Sequence, residues 1–181
     1  MRRAQAGEVT AFEQLAGVYA DRLYAVVVRL VSDRTEAEDV VQESLLRAWR
    51  GIGHFQGRAM FSTWLYRIAV NESNRALERR LRRGPVVPVD EDSMQVPAPA
   101  HDGPASQAEQ EELRQGLDIA IADLTPPYRT ALVLRDIEGL STREAAKIAG
   151  IGESAFKSRL HQARLKVRVA LGDSALIATP I

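Results

Sequence analysis

The sequence predicts an all-α protein made of two small helical domains joined by a proline-rich, acidic linker. Apolar residues recur at helical spacing in both halves of the 181-residue chain, and no stretch shows the alternation of a half-buried strand. Residues 84–105 hold five prolines, which remove backbone donors and disfavour helix in the residues before them. We therefore expect one domain at residues 1–83, a linker at 84–106, a second domain at 107–172 and a tail at 173–181.

Four helices are predicted in each half of the chain. The first four cover residues 8–19, 21–31, 35 to about 50, and 60–83, with a loop at 51–57. The other four cover residues 106–124, 126–139, 142–149 and 153–171. Thr35 is the expected cap of the third helix, because its hydroxyl can accept a hydrogen bond from the first turn. Ser141 and Glu144 have the spacing of a capping box, and Gly150 fits the left-handed end of the helix that follows.

The net charge of zero hides two basic blocks on either side of an acidic one. Residues 1–83 hold 14 Lys and Arg against 10 Asp and Glu, residues 84–125 hold 1 against 9, and residues 126–181 hold 9 against 5. This pattern indicates two surfaces for a polyanion, separated by an acidic connector. Ordinary variation in surface charge is the alternative.

Composition and motifs exclude several classes of function. The chain has no cysteine, which excludes disulfides, thiol catalysis and cysteine-based metal sites. Its three histidines are far apart in sequence, the carboxylates of residues 36–43 fit a solvated helix face, and no catalytic triad, phosphate loop or HExxH motif occurs. We therefore expect no enzymatic activity, no metal and no cofactor. No apolar run approaches the roughly 20 residues that span a bilayer, so we expect a cytoplasmic chain without membrane insertion.

The strongest local motif is a helix-turn-helix in the C-terminal half. A short capped helix, a glycine turn and a longer basic helix fit the DNA-binding arrangement. Apolar residues on the last helix are spaced by four, three, four and four positions, which predicts a buried stripe. The stripe consists of Phe156, Leu160, Ala163, Val167 and Leu171. On the polar faces, Lys, Ser and Gln are candidates for reading bases, and Arg164 and Arg168 for holding phosphates. A basic face that is only solvated is the alternative.

A second candidate surface combines aromatic and basic side chains along the helix of residues 60–83 and the loop before it. Aromatic rings interleaved with Arg and Asn suit the binding of unstacked, single-stranded bases. The members include Arg58, Phe61, Trp64, Tyr66, Arg67, Asn71, Asn74, Arg75, Arg79, Arg80, Arg82 and Arg83. Helical spacing also predicts core positions for some of these rings, so we expect only part of the set to touch DNA.

Four motifs, in order, resemble one known family. Residues 39–49, DVVQESLLRAW, are similar to the core-binding helix of the extracytoplasmic-function (ECF) sigma factors, and residues 61–71, FSTWLYRIAVN, resemble a run of the same family closely. Residues 132–141, LVLRDIEGLS, and 157–164, KSRLHQAR, resemble its second domain. The chain is therefore identified as a member of a family that directs core RNA polymerase to promoters and helps to open the -10 element.

The resemblance implies a role for each domain. The first, a sigma2-like helical bundle, would bind the clamp helices of the largest polymerase subunit and open the -10 element. The second, a sigma4-like helix-turn-helix, would read the -35 element of promoter DNA. The flap region of core polymerase is a further implied contact of the chain. The implied polymerase-binding residues are Asp39, Gln42, Glu43 and Arg47. The implied -10 residues are His54, Phe55, Arg58, Phe61, Trp64, Arg67, Asn71 and Arg75. The implied -35 residues are Arg143, Ser154, Lys157, Ser158, His161, Gln162 and Arg164. An anti-sigma factor is the usual further partner in the family.

The main alternative is a stand-alone helix-turn-helix transcriptional regulator, which would bind its site without polymerase, usually as a dimer on a palindrome. No helix with dimerisation heptads is apparent in the sequence, which weighs against it. The turn at residues 150–156, GIGESAF, departs from the family pattern, so the base specificity of relatives does not carry over to this chain.

Overall fold

The computed structural model describes residues 1–83 and 104–172, and every regular element in these ranges is helical. The first range forms α1 Arg2–Gln5, α2 Val9–Val31, α3 Arg34–Gly51, a 3-10 turn Ile52–His54 and α4 Phe61–Arg83. The second forms α5 Pro104–Ala122, α6 Pro126–Leu132, a π-helical turn Val133–Ile137, α7 Thr142–Ala149 and α8 Glu153–Leu171. The predicted all-α class is confirmed. Most of the predicted linker and the whole predicted tail lie outside the described residues.

One helix, α2, replaces the two that were predicted between residues 8 and 31. The expected break at residues 19–21 is absent because Ala20 favours helix and no proline stands near it. The C-terminal half of α2 is apolar on most sides and buries Leu23, Val26, Val27, Val28, Leu30 and Val31. A helix of this kind is enclosed by its neighbours. α2 contacts α3 and α4 of its own domain and also α5, α6 and the π-helical turn, so both domains pack on it.

The prediction of Thr35 as the cap of α3 was wrong, because Asp33 takes that position. The Asp33 carboxylate accepts a hydrogen bond from the Glu36 N–H at 2.8 Å, and α3 begins at the next residue, Arg34. Ser32 has a left-handed φ of 59° and ends α2 by donating its N–H to the Val28 carbonyl. Aspartate is as good a capping residue as serine or threonine. The connection between α2 and α3 consists of the two residues Ser32 and Asp33.

The helix-turn-helix has the local structure that the sequence predicts. Ser141 and Glu144 form a reciprocal capping box at the start of α7, and Gly150 ends that helix with a φ of 70°. In α8 the stripe residues Phe156, Leu160, Ala163 and Val167 are buried, and Leu171 is half-buried. The helix predicted for residues 126–139 instead widens into the π-helical turn, where the Glu138 N–H donates to the Val133 carbonyl at 2.9 Å.

Arg129 of α6 ties the two domains together through backbone carbonyls. Its side chain is buried, and Nη1 donates to the Leu30 carbonyl at 2.5 Å, near the end of α2. Nη2 donates to the carbonyls of Ala122 and Leu124 at the end of α5. The last carbonyls of a helix lack partners within it, so one guanidinium caps a helix end in each domain. Burial lowers the pKa of Arg129 and is the largest of the effects that shift it.

Glu138, just after the π-helical turn, makes the second polar link between the domains. Its Oε2 lies 3.0 Å from Arg22 Nε and its Oε1 3.8 Å from Arg29 Nη1, both on α2. Arg22 also donates to the Glu138 carbonyl at 2.8 Å. Farther along the interface α4 contacts α7. The helix-turn-helix therefore lies directly against the helix that carries the predicted -10 residues.

Candidate nucleic-acid and polymerase interfaces

The predicted -35 residues lie on the exposed side of α7 and α8. Ser154, Lys157, Ser158, His161 and Gln162 are all exposed, on the faces of α8 that its buried stripe leaves to solvent. The Ser158 hydroxyl donates to the Ser154 carbonyl one turn earlier, at 3.2 Å. Residues near the start of the second helix are those that reach base edges in this motif. These five side chains therefore lie on a surface of α8 that the major groove of DNA can approach.

Two arginines of the predicted -35 set are held by carboxylates of the same domain. Arg164 makes a bidentate pair with Asp136, at 2.8 and 2.7 Å, and this hydrogen bonding raises the pKa of Arg164. Arg143 pairs with Glu153 at 3.3 Å. All four side chains are partly exposed to solvent, so each pair is weak and exchangeable. A phosphate that reaches either arginine must compete with its carboxylate.

Aromatic rings form a cluster at the start of α4. Phe55 lies 5.1 Å from Trp64 and 6.2 Å from Phe61, and Phe61 lies 5.8 Å from Trp64, measured between ring centroids. Phe61 is buried, whereas Phe55 and Trp64 are only half-buried. Phe61 therefore supports the other two rings from within the core, and Phe55 and Trp64 present the accessible π surfaces of the predicted -10 set.

The half-buried rings line a cleft of about 550 Å³ between the two domains. Five predicted -10 residues line it, namely His54, Phe55, Arg58, Trp64 and Arg67. The opposite wall is the turn of the helix-turn-helix, with Lys147 at its edge. Three cationic side chains and two aromatic rings thus border one cavity. The sequence did not predict the contribution of Lys147, because α7 reaches the cleft only through the packing of the two domains.

The remaining predicted -10 residues, Asn71 and Arg75, continue along α4 beyond the cleft. Both are exposed and follow Arg67 at intervals of four residues, so the three side chains share one face of the helix. This row extends the basic surface from the cleft along α4.

The predicted polymerase-binding residues lie on α3, where Asp39, Gln42 and Arg47 are exposed and Glu43 is half-exposed. Arg47 is held by two carboxylates, since its Nε lies 2.7 Å from Glu43 Oε1 and 3.2 Å from Glu72 Oε1. Glu72 belongs to α4 and was missed in the sequence, where it stands among polar residues that give no sign of burial.

An apolar groove of about 370 Å³ runs between α2 and α3 beside Gln42. It is lined mainly by Val9, Phe12, Ala16, Leu45, Leu46 and Trp49. Leu46 is 43% and Val9 52% exposed, although both are apolar. The groove was also missed in the sequence, because α3 alone does not show which residues of α2 lie opposite. It adds an apolar surface to the polar set predicted for partner binding.

Within residues 1–83 and 104–172, no group of three or more His, Asp or Glu side chains is arranged to hold a metal ion. No helix in the same ranges is long and apolar enough to cross a membrane.

Comparison with known proteins identifies the family. Residues 15–83 match the family model described as Sigma-70 region 2, and residues 114–167 match Sigma-70, region 4. The RNA polymerase sigma-H factor of Pseudomonas aeruginosa is 34% identical over 94% of this chain and 91% of its own length. The chain belongs to the sigma-70 family. The ECF RNA polymerase sigma-E factor of Haemophilus influenzae is 35% identical over 91% of this chain and 89% of its own. The ECF sigma factor SigW of Bacillus subtilis is 31% identical over 96% and 95%.

Solved structures agree with the assignment of this chain to the ECF sigma factors. The sigma factor RpoE in complex with the anti-sigma factor NepR, from Bartonella quintana, aligns with a TM-score of 0.71 and 26% identity, over 92% of this chain and 100% of that one. CnrH in complex with the cytosolic domain of CnrY aligns with a TM-score of 0.68 and 24% identity, over 96% of each, which shows a common fold.

The expected function class follows from the family. The chain is a transcription initiation factor that acts with RNA polymerase on promoter DNA, and it is not an enzyme. The stand-alone regulator is not favoured, because region 2 and region 4 occur together and in order. The roles of individual residues stay predictions.

Proposed function

We propose that this ECF sigma factor binds core polymerase through α3, opens the -10 element with the residues that the first domain contributes to the interdomain cleft, and reads the -35 element through α8. The observation that carries the proposal is the cleft, which gathers five predicted -10 residues, two of them with half-buried aromatic rings. We place the domain boundaries at residues 83 and 107, and the site of action in the cytoplasm, where the family meets DNA-bound polymerase.

Strand opening needs a site that favours an unstacked base over a paired one. Phe55 and Trp64 offer ring faces, and stacking of a base on an aromatic side chain is worth about 1–3 kcal/mol. Arg58 and Arg67 stand beside the rings and supply charge for the phosphates of the same strand. Asn71 and Arg75 extend this track along α4, toward the upstream edge of the -10 element.

Contact with the -35 element is assigned to the start of α8. Lys157, Ser158, His161 and Gln162 face solvent and include donors and acceptors for base edges. Arg143 and Arg164 take phosphates once these displace Glu153 and Asp136. The carboxylates thereby act as competitors that reduce non-specific binding to DNA.

The compact arrangement of the two domains has to open when the promoter is bound. The names of the two elements place them about 25 base pairs apart, or roughly 85 Å of duplex. A compact body of about 150 residues is only roughly 40 Å across. The chain between α4 and α5 is long enough to reach roughly 70 Å when extended. Binding of polymerase and promoter would therefore break the contacts that Arg129 and Glu138 make between the two domains.

The likeness to RpoE also supports a proposal for regulation. That protein was solved with an anti-sigma factor, and it covers nearly all of this chain. We assign a partner of the same type to this chain. Such a partner would compete with the clamp helices and flap region of polymerase for binding to this chain. The apolar groove between α2 and α3 provides a surface for such a partner, because Val9 and Leu46 are exposed there.

Selection of DNA fragments with and without polymerase tests the proposal. Sheared genomic DNA from the host is incubated with the protein, with core polymerase or with both, and heparin-resistant complexes are sequenced and probed with permanganate. Discrete sites with reactive thymines, obtained only when both are present, are expected. Enrichment by the protein alone would instead support a stand-alone regulator.

A pair of matched variants ties the result to the cleft. Arg58→Ala combined with Arg67→Ala removes two charges from the cleft, and we expect about a tenfold loss of heparin-resistant, permanganate-reactive complexes. Arg2→Ala combined with Arg50→Ala removes the same charge from exposed positions that do not line the cleft. Equal losses in both variants would contradict the assignment of the cleft to -10 opening.

A further inference from the structure

Glu72 stands where the predicted polymerase surface meets the predicted DNA surface. Its side chain is 4% exposed, and its Oε1 lies 2.7 Å from Arg75 Nη1 and 3.2 Å from Arg47 Nε. Arg75 belongs to the -10 face of α4, and Arg47 belongs to the polymerase face of α3. One buried oxygen is thus shared by an arginine from each surface.

The Glu72 carboxylate depends on these two partners for its charge balance. A buried carboxylate is costly unless it is paired, and the loss of one partner strengthens its demand on the other. The buried hydroxyls of Ser44 and Ser73 are not donors to Glu72, because Ser44 donates to the Val40 carbonyl and Ser73 to the Ala69 carbonyl. Changes at Arg75 must therefore be felt mainly at Arg47.

Arg47 is balanced between two carboxylates. Its Nε is closer to Glu43 Oε1, at 2.7 Å, than to Glu72 Oε1, at 3.2 Å. Glu43 is on the exposed side of α3 and Glu72 is in the interior, so the two pull Arg47 in different directions. When Arg75 leaves Glu72, Arg47 is drawn inward and its presentation to a partner on α3 changes.

We infer that Glu72 is a positioning residue that couples polymerase binding at Arg47 to DNA binding at Arg75. The inference rests on the proposed function, because the two arginines take their roles from it. A phosphate that engages Arg75 alters the hold of Glu72 on Arg47, and polymerase that engages Arg47 alters the hold on Arg75. Such coupling of two binding events is reciprocal by thermodynamic necessity.

Core-polymerase affinity of variants on α4, measured without DNA, tests the coupling. Arg75→Gln removes one partner of Glu72, and we expect the Kd for core polymerase to rise about threefold or more, the range of coupling between groups in contact. Arg79→Gln removes the same charge one helical turn later, from an exposed position. It should change the Kd less than about twofold.

The Glu72→Gln background shows whether the effect passes through the carboxylate. In that background Arg75→Gln should no longer change the Kd, because an uncharged amide exerts little pull on Arg47. Thermal unfolding is followed in parallel, and if Glu72→Gln fails to fold, the contrast between Arg75→Gln and Arg79→Gln still decides. A merely structural role of Glu72 would lower stability without making the effect of Arg75→Gln depend on it.

The outcomes separate this inference from the function on which it rests. Equal effects of Arg75→Gln and Arg79→Gln, with the wild type binding core polymerase normally, would overturn the coupling alone. Persistence of the Arg75→Gln effect in the Glu72→Gln background would do the same. A wild type that binds no core polymerase would remove the proposed function and the inference with it.

Discussion

Glu138 offers a sharp perturbation of the contact between the two domains. Glu138→Gln keeps the size of the side chain and the hydrogen bond from Arg22 to the backbone carbonyl, but removes the charge that faces Arg22 and Arg29. Glu138 is 8% exposed, whereas Arg22 is 56% exposed and screened by solvent. We therefore expect a loss of about 1 kcal/mol of contact energy, which corresponds to roughly a fivefold rise in the open population.

Energy transfer between two dyes measures this population directly. The chain has no cysteine, so Val18→Cys and Val169→Cys give unique labelling sites, one in each domain. The two side chains are 77% and 82% exposed and tolerate a dye. Transfer efficiency should fall in Glu138→Gln at low salt, and the difference from the wild type should shrink in high salt, because salt screens the ion pair.

The matched control is Asp21→Asn, which removes a carboxylate from an exposed position next to Arg22. It should leave the transfer efficiency unchanged. Identical efficiency of Glu138→Gln and wild type at low salt would refute the reasoning, because it would mean that this ion pair does not hold the domains together.

Three further results are expected. Arg129→Met leaves buried helix-end carbonyls unpaired and should lower the unfolding free energy by about 2–4 kcal/mol in urea titrations, with Arg129→Lys less affected. Hydrogen bonds from Ser141 hold the pKa of Glu144 below its ordinary value, so the part of the capping box that uses the carboxylate stabilises the protein at neutral pH and is lost on acidification through that pKa. Ser141→Ala should cost about 1 kcal/mol at pH 7 in the same titrations, and less in acid below that pKa, where the hydrogen bond from the Glu144 N–H to the Ser141 hydroxyl is the part that stays. Asp136→Asn releases Arg164 and should tighten binding of the holoenzyme to promoter DNA about two- to fivefold. The slope of the logarithm of the binding constant against the logarithm of the salt concentration should become steeper, by up to about the amount that one phosphate contact contributes.

Local features were predicted well because their causes are local. The cap at Ser141, the turn at Gly150 and the stripe that begins at Phe156 depend on residues within a few positions of one another, and all three are present. The cap of α3 was predicted wrongly because Asp33 and Thr35 both suit that role, and the choice depends on how tightly α2 and α3 are joined.

The polar network and the cleft depend on tertiary packing and could not be predicted in this way. Glu72 reads as one more polar residue of α4, and its burial against Arg47 appears only when α3 and α4 are brought together. Lys147 reaches the cleft only because α7 packs on α4. Arg129 looks like a solvated charge in sequence but is buried, because helix ends from both domains converge on it.

Run-off transcription is the most direct test of the central claim. Purified core polymerase is supplied with fragmented host DNA, with and without this protein, and transcript start sites are mapped. Discrete start sites that appear only with the protein, and that share two sequence elements upstream, are the predicted result. Unchanged transcription, from a polymerase shown to respond to another sigma factor and on DNA that includes the whole host genome, would contradict the account.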